Sequence, residues 1–218
     1  LVTGCSSRQP RPNDAVAEVI RGTDSPNGSS PESKAEIKAE IRNEPLEVWG
    51  QKLRVNKFDY PVVVNASVEK WIAYFTGKGK IHFDKYLERG RYFIPEISKV
   101  LRTHKMPQDL VYLAMIESGF YNSAKSRARA VGPWQFIRGT GSRYGLAINY
   151  WIDERRDTKK ATLAAIKYLS ELYQEFGSWE LAAAAYNAGE GKVRRAIRKY
   201  NTKNFWEIAK HRFFKHET

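Results

Sequence analysis

Glu117 is the residue whose sequence surroundings most directly suggest acid–base chemistry. It follows the unbroken apolar and aromatic run of residues 110–116 (Leu-Val-Tyr-Leu-Ala-Met-Ile), which Pro107 and Asp109 introduce as a helix. A carboxylate at the C-terminal end of a buried helix is desolvated and lies at the negative end of the helix dipole, and both effects raise its pKa. Such a group keeps its proton near neutral pH and can act as a general acid. The alternative is a structural glutamate that emerges into solvent or pairs with an arginine.

Four further motifs follow Glu117 in a fixed order. They are residues 123–126 (Ser-Ala-Lys-Ser), 132–135 (Gly-Pro-Trp-Gln), 153–157 (Asp-Glu-Arg-Arg-Asp) and 185–189 (Ala-Tyr-Asn-Ala-Gly). Each motif is weak alone, but their order and spacing resemble the family 1 lytic transglycosylases, and most closely the membrane-bound D branch of that family. The resemblance covers about residues 46–218.

The resemblance implies a lysozyme-like helical domain, of the goose-type lysozyme and soluble lytic transglycosylase kind, with Glu117 as acid and then base. Tyr186 corresponds to the family's tyrosine that hydrogen-bonds the catalytic glutamate. Asn187 corresponds to an asparagine close to the substrate N-acetyl group, and Ser126 to a serine that contacts the saccharide. We therefore expect Glu117 and Tyr186 to be catalytic and the other two to bind substrate.

Residues 132–135 correspond to a Gly-Leu-Met-Gln or Gly-Leu-Trp-Gln loop in that family, with Pro133 where leucine is usual. Proline lacks an N–H, which argues against a hydrogen bond from the backbone of residue 133 but leaves the Gln135 side chain unaffected. We expect Gln135 and Trp134 to bind substrate. In the plainer interpretation, Gln135 ties the loop together through backbone hydrogen bonds and Trp134 packs in the core.

Several other residues near these motifs also have plainer interpretations. Tyr186 is equally compatible with a core aromatic, and packing roles are favoured for Phe120 and Phe136. Asp153 and Asp157 are interpreted as a loop anchor and a helix cap. The four histidines are scattered without ligand spacing, so we predict no metal site and no cofactor.

The resemblance also implies a reaction. The β-1,4 bond between N-acetylmuramic acid and N-acetylglucosamine in a peptidoglycan strand is cut without water, and 1,6-anhydromuramoyl ends are formed. The substrate's 2-acetamido group takes the place of the second carboxylate that glycosidases usually carry. Two alternatives remain open: a muramidase that hydrolyses the same bond, and a non-catalytic lipoprotein that binds the wall.

Helical spacing dominates from residue 46 onward, so the fold class is predicted to be all-α. The first predicted helix begins after an N-cap at Ser67 and buries a core stripe of Val68, Trp71, Ile72 and Phe75. Other helices are predicted before Gly90, from Ile94 to about Met106, over 110–116, and at 158–176, 179–187, 193–200 and 204–212. Residues 119–157, rich in glycine, are predicted to be irregular.

The N-terminal sequence resembles that of a bacterial lipoprotein. Residues 1–5 (Leu-Val-Thr-Gly-Cys) resemble the end of a signal peptide in which Cys5 becomes the lipidated N-terminus, although an ordinary free cysteine is the alternative. Residues 6–45, rich in Ser, Pro and Gly, predict a flexible linker, and 46–218 the catalytic domain. For a cell with two membranes, Ser6 after the cysteine, rather than Asp, favours the periplasmic face of the outer membrane as the site of anchoring within the cell envelope.

The chain carries 37 Lys and Arg against 24 Asp and Glu, a net charge of +13. This excess favours an anionic partner such as an acidic polymer or a membrane surface, and a solvated basic surface without a specific partner is the alternative. The basic residues are scattered and accompany no nucleic-acid-binding motif, so we predict no nucleic-acid partner. The sequence also lacks a run of 18 apolar residues, so no transmembrane helix is predicted.

Overall fold

The structure is a computed structural model that describes residues 47–48, 51–52, 58–60, 62–211 and 213–214. Within these ranges the chain forms eight α-helices, which we number α1 (Ala66–Thr76), α2 (Lys80–Thr103), α3 (Val111–Ser118), α4 (Arg138–Arg143), α5 (Thr158–Phe176), α6 (Trp179–Ala188), α7 (Glu190–Tyr200) and α8 (Phe205–Lys210). Short 3-10 turns occupy Gln108–Leu110 and Glu154–Arg156. Apart from the two-residue antiparallel strands β1 (Glu47–Val48) and β2 (Gln51–Lys52), the predicted all-α class is confirmed. Cys5 and the predicted linker lie outside the described residues.

Helix α5 forms the centre of the core. It is buried on several faces and packs against α2 on one side and α6 on the other. Alanines such as Ala161 and Ala165 on α5 and Ala182 on α6 are fully buried, and their small side chains let the two backbones approach closely. The predicted caps of this helix are confirmed: the Asp157 carboxylate accepts from the Lys160 N–H at 2.8 Å, and Gly177 ends the helix.

Helix α1 differs from its prediction in two respects. Its N-cap is Asn65, not Ser67, because the Asn65 amide oxygen accepts hydrogen bonds from the N–H groups of Ser67 and Val68 at 3.0 and 3.1 Å. The apolar stripe was predicted to be core, but α1 has no fully buried residue and Trp71 is exposed. The helix packs mainly on α2, where Phe75 meets Phe83 at 5.3 Å, so only part of its apolar face is covered.

Helix α2 is a single element of 24 residues, so the predicted break at Gly90 is wrong. A Cβ at Gly90 would lie 2.8 Å from the Ile94 side chain and 3.2 Å from the Phe120 ring. The glycine therefore allows Phe120 to pack against the helix, and this tertiary contact overrides the weak helix propensity of glycine. The helix ends at Thr103, slightly before the predicted end near Met106.

Two further boundaries depart from the sequence-based expectation. The segment 119–157 was predicted to be irregular, but it contains α4, whose Gly141 packs closely against Ile148. Helix α7 begins at Glu190 rather than at Val193, because Gly189 alone, at φ 88°, makes the break after α6. The other helices agree with their predictions to within a few residues.

Candidate active site

Glu117 lies in the last turn of α3, as the sequence predicts. The helix buries Val111, Ala114 and Met115 against the core and stops immediately after Ser118. Gly119 ends it in the left-handed conformation (φ 59°), with its N–H bonded to the Met115 carbonyl at 2.7 Å. This stop fixes the position at which the Glu117 carboxyl leaves the helix.

Burial raises the pKa of Glu117 from its ordinary value of 4.5 to about 7. Among the described residues no hydrogen bond to its carboxylate is formed and no cation pairs with it, which leaves desolvation unopposed. The group is therefore about half protonated at neutral pH, the condition in which one carboxyl can give up a proton and later accept one. The alternative of an arginine-paired surface glutamate does not match this environment.

Tyr186 lies on α6, beside Glu117. Its ring packs between those of Tyr168 and Phe136, with centroids 5.2 and 6.2 Å away. Burial and then the neighbouring Glu117 charge raise the pKa of Tyr186 well above its ordinary value, so the phenol keeps its proton. The expected hydrogen bond to Glu117 is not the one observed: the hydroxyl donates to the Trp134 backbone carbonyl at 2.6 Å. The residue is thus both part of the core and adjacent to the carboxyl.

The loop opposite α3 is folded by isolated bridges between Lys125 and Val131 and between Val131 and Phe136. At its tip the Gln135 N–H bonds to the Gly132 carbonyl at 3.2 Å and closes a tight turn. Pro133 is the second residue of that turn, where a fixed φ is favourable and no N–H is needed. The departure from the family's leucine therefore suits the local backbone.

Trp134 has no exposed surface, and its indole N–H donates to the Thr162 hydroxyl at 3.0 Å. The sequence predicts that Trp134 binds substrate, but the structure shows the plainer role, packing in the hydrophobic core. The ring has no face open to a saccharide, because the loop folds it inward against α5. Only its backbone carbonyl takes part in the site, through Tyr186.

The remaining expected substrate-binding residues surround the same region. The Gln135 side-chain amide donates to the Gly132 carbonyl at 2.8 Å, which is the loop-tying contact considered above. The Ser126 hydroxyl accepts from the Ala130 N–H at 3.1 Å and so stabilises the adjoining turn. Asn187 follows Tyr186 on α6 and is partly buried. Their contacts with a saccharide stay predictions.

Two residues that organise the site were not identified from the sequence. The Ser118 hydroxyl donates to the Pro133 carbonyl at 2.9 Å, which ties the end of α3 to the loop. Buried Arg155 donates to the carbonyls of Arg129 and Phe136, each at 3.1 Å, and pairs with Asp153 at 2.7 Å. Asp153 is thus a loop anchor, as predicted. The Glu-Ser and Asp-Glu-Arg-Arg motifs can be recognised in the sequence. The sequence does not show which carbonyl oxygens the Ser118 and Arg155 side chains bond to.

Within the described ranges, no three His, Cys, Asp or Glu side chains cluster as metal ligands would. None of the described helices has the length and apolarity required to cross a bilayer.

The chain belongs to the transglycosylase SLT domain family, whose sequence model matches residues 96–209, more than half of the 218 residues. The resemblance to family 1 lytic transglycosylases and the lysozyme-like fold class are thereby confirmed. The match includes Glu117, the Trp134 loop and Tyr186.

Three relatives show the same similarity. The membrane-bound lytic murein transglycosylase D of Escherichia coli K12 is 39% identical over 117 residues, which are 51% of this chain and 26% of that protein. A putative tributyltin chloride resistance protein of Alteromonas sp. strain M-1 is 35% identical over 113 residues, which are 51% of this chain and 53% of that protein. The peptidoglycan transglycosylase gp16 of Escherichia phage T7 is 39% identical over 83 residues, which are 37% of this chain and 6% of that protein. The matched region thus spans about a quarter of the length of the Escherichia coli protein and about half of the length of the Alteromonas protein.

Proposed function

We propose that this protein is a peptidoglycan lytic transglycosylase that cuts the β-1,4 bond between N-acetylmuramic acid and N-acetylglucosamine and leaves 1,6-anhydromuramoyl ends. The observation that carries the proposal is the Glu117 carboxyl, partly buried at the end of an apolar helix, with burial raising its pKa to about 7. Membership of the SLT domain family and the names of two relatives, a lytic murein transglycosylase and a peptidoglycan transglycosylase, support the substrate class.

In the first half of the reaction, the protonated Glu117 carboxyl donates its proton to the glycosidic oxygen. The bond from that oxygen to C1 of the muramoyl residue breaks, and the N-acetylglucosamine alcohol leaves. The carbonyl oxygen of the muramoyl 2-acetamido group bonds to C1 and carries the positive charge, so no second protein carboxylate is needed at this step.

In the second half, the Glu117 carboxylate removes the proton of the muramoyl 6-hydroxyl. The 6-oxygen attacks C1, the acetamido oxygen is released, and the anhydro ring closes without the consumption of water. The charged carboxylate formed between the two steps is stabilised if the Tyr186 hydroxyl turns from the Trp134 carbonyl to Glu117. In this proposal the Trp134 carbonyl is the resting partner of the Tyr186 proton while Glu117 is itself protonated.

The substrate contacts are part of the same proposal. Asn187 lies next to Tyr186 on α6 and can reach the N-acetyl group that takes part in the reaction, while Ser126 and the Gln135 amide oxygen border the glycan strand. Gln135 keeps an acceptor available because its observed hydrogen bond uses the amide N–H.

Digestion of purified sacculi in heavy-oxygen water tests the reaction class. Mass spectrometry should find muropeptides that end in unlabelled 1,6-anhydromuramoyl residues. Labelled reducing ends would identify a muramidase instead, and retention on the sacculi without any product would identify a wall-binding protein.

We further propose that residues 46–218 work from the membrane surface of the cell envelope, with Cys5 lipidated and residues 6–45 as the tether. The sequence of residues 1–5 and the linker composition support this proposal, and Ser6 favours the outer membrane. Replacement Cys5→Ser in the precursor should move the protein out of the membrane fraction. Unchanged fractionation would contradict the anchor without bearing on the reaction.

A further inference from the structure

A short hairpin between α4 and α5 presents three consecutive large apolar side chains to solvent. Ile148 and Asp153 form the last bridge, and beyond it Tyr150, Trp151 and Ile152 are 89%, 86% and 50% exposed. The two aromatic rings meet edge to face at 4.8 Å. We call residues 149–152 the aromatic tip. Such continuous apolar exposure away from the core suggests a contact surface.

The backbone of the aromatic tip is hydrogen-bonded within the hairpin. The Asn149 side-chain oxygen accepts from the N–H groups of both Trp151 and Ile152 at 2.8 Å, and the Asn149 N–H donates to the Ile152 carbonyl at 2.8 Å. Just below, the Glu154 carboxylate accepts from the Ala147 N–H at 2.7 Å. These hydrogen bonds hold the backbone of the aromatic tip, so little backbone ordering is needed on binding.

These hydrogen bonds also indicate what kind of partner fits. Three of the four backbone N–H groups of the aromatic tip are bonded within the tip itself, so moving it into a less polar medium leaves few unsatisfied donors. A polar saccharide would not require this, and Ile152 offers a sugar no ring face. Tyrosine and tryptophan are the side chains that favour the boundary between lipid headgroups and acyl chains.

The charge around the hairpin also favours a membrane surface with anionic headgroups. Between residues 136 and 160 the chain carries six basic residues and three acidic ones. Three of these bases form ion pairs, Arg143 with Glu171, Arg155 with Asp153 and Lys160 with Glu154. The other three are exposed and form no ion pair among the described residues: Arg138, Arg156 and Lys159. Exposed Arg138 donates to the Ile148 carbonyl at 3.0 Å and so lies at the base of the hairpin. Cations at that level complement anionic headgroups while the rings enter the interface.

We propose that the aromatic tip inserts into the headgroup region of an anionic bilayer. This contact is separate from the proposed lipid on Cys5 and from the proposed reaction at Glu117. It would orient the domain on a membrane surface, whereas a lipid on a long linker would only confine it there.

Sedimentation with mixed phosphatidylglycerol and phosphatidylethanolamine vesicles tests the proposal in the full chain carrying Cys5→Ser, so that no lipid contributes. The double variant Tyr150→Ser/Trp151→Ser should partition into the vesicles at least about tenfold more weakly. Tyr92→Ser is the matched control, because Tyr92 on α2 is also 79% exposed and should leave partitioning unchanged. Quenching of tryptophan emission by brominated lipid should be seen in the parent and be lost with Trp151→Ser.

Binding to purified sacculi is measured in parallel, with thermal unfolding as the check of folding. Unchanged vesicle binding by the double variant, or no vesicle binding by the parent, would overturn the proposal. Loss of sacculus binding with vesicle binding retained would overturn it in favour of a glycan contact. The muropeptides released by the double variant should keep the parent's chemistry, which separates this test from that of the reaction.

Discussion

The hydroxyl of Tyr186 donates a hydrogen bond of 2.6 Å to the backbone carbonyl of Trp134, 52 residues earlier in the chain. This bond joins α6 to the loop that faces the end of α3, and Ser118 joins α3 to the same loop through Pro133. Helix α6 and the end of α3 that carries Glu117 are therefore both hydrogen-bonded to the same four-residue turn, residues 132–135. The loop contributes its backbone to the site, while its largest side chain is buried.

Replacement Tyr186→Phe removes the hydroxyl and keeps the ring contacts with Tyr168 and Phe136. We expect the rate of product release to fall about ten- to hundredfold, because a hydrogen bond to a charged group is worth about 1.5–3 kcal/mol. Tyr144→Phe is the matched control, since its hydroxyl bonds to Glu171 at 2.6 Å. It should lower the unfolding free energy and leave the rate nearly unchanged. Equal rates of product release by the two variants would mean that the Tyr186 hydroxyl has a structural role only.

Gly132 has no room for a side chain: a Cβ would lie 1.8 Å from the Arg155 carbonyl oxygen, and φ is +84°. Gly132→Ala should therefore lower the unfolding free energy by about 2 kcal/mol or more and displace the loop, with loss of activity. Gly139→Ala, in α4 with open space around it, should stabilise the protein by up to about 1 kcal/mol. Chemical denaturation measures the unfolding free energy of both variants. An unchanged unfolding free energy for Gly132→Ala would show that the loop does not pack against Arg155 as described.

Pro133→Ala tests whether the proline is there for the turn. The substitution restores a backbone N–H that the turn does not use and removes the constraint on φ, so the unfolding free energy should fall by about 0.5–1 kcal/mol. Product release at a given temperature should remain close to that of the parent. A large loss of activity in a folded Pro133→Ala protein would mean that the proline contributes to substrate binding directly.

Sequence reasoning was most reliable where a local signal and the tertiary structure agree. Asp157 and Gly177 mark the two ends of α5 because capping depends on a few neighbouring residues. Glu117 could be identified because an uninterrupted apolar run makes burial nearly unavoidable, and the same burial raises its pKa. The turn and cap roles of Asp153 and Asp157 have the same local origin.

The errors arose where long-range packing decides the outcome. Gly90 lies inside a helix because Phe120, 30 residues later, packs against it. Trp134 is buried because Thr162 on α5 accepts its indole N–H, and no local pattern shows whether a loop tryptophan points inward. The expected bond between Tyr186 and Glu117 likewise depends on a competing acceptor, the Trp134 carbonyl, which the sequence does not place.

The pH dependence of stability reports on Glu117 independently of any substrate. In the folded protein the pKa of this carboxyl is about 7, against 4.5 ordinarily, so between these values the folded state binds more protons than the unfolded state. Its contribution to stability therefore falls as pH rises from 4.5 to 7, by up to about 3 kcal/mol. The stability of Glu117→Gln relative to the parent should rise across that window. A constant difference in unfolding free energy would contradict the raised pKa.

The role of Glu117 as the acid and base of the reaction is tested most directly by the rate at which Glu117→Gln releases anhydromuropeptides from purified sacculi, with the parent as reference. Glutamine keeps the shape of glutamate but can neither donate a carboxylic proton nor take one back. Removal of a general acid–base costs about 10²- to 10⁴-fold in rate, and the loss should reach the upper end because one group serves both steps. Glu117→Gln should be at least as stable as the parent at neutral pH, should still bind sacculi and should release almost no anhydro product. Substantial anhydro product from the folded Glu117→Gln protein would contradict this role.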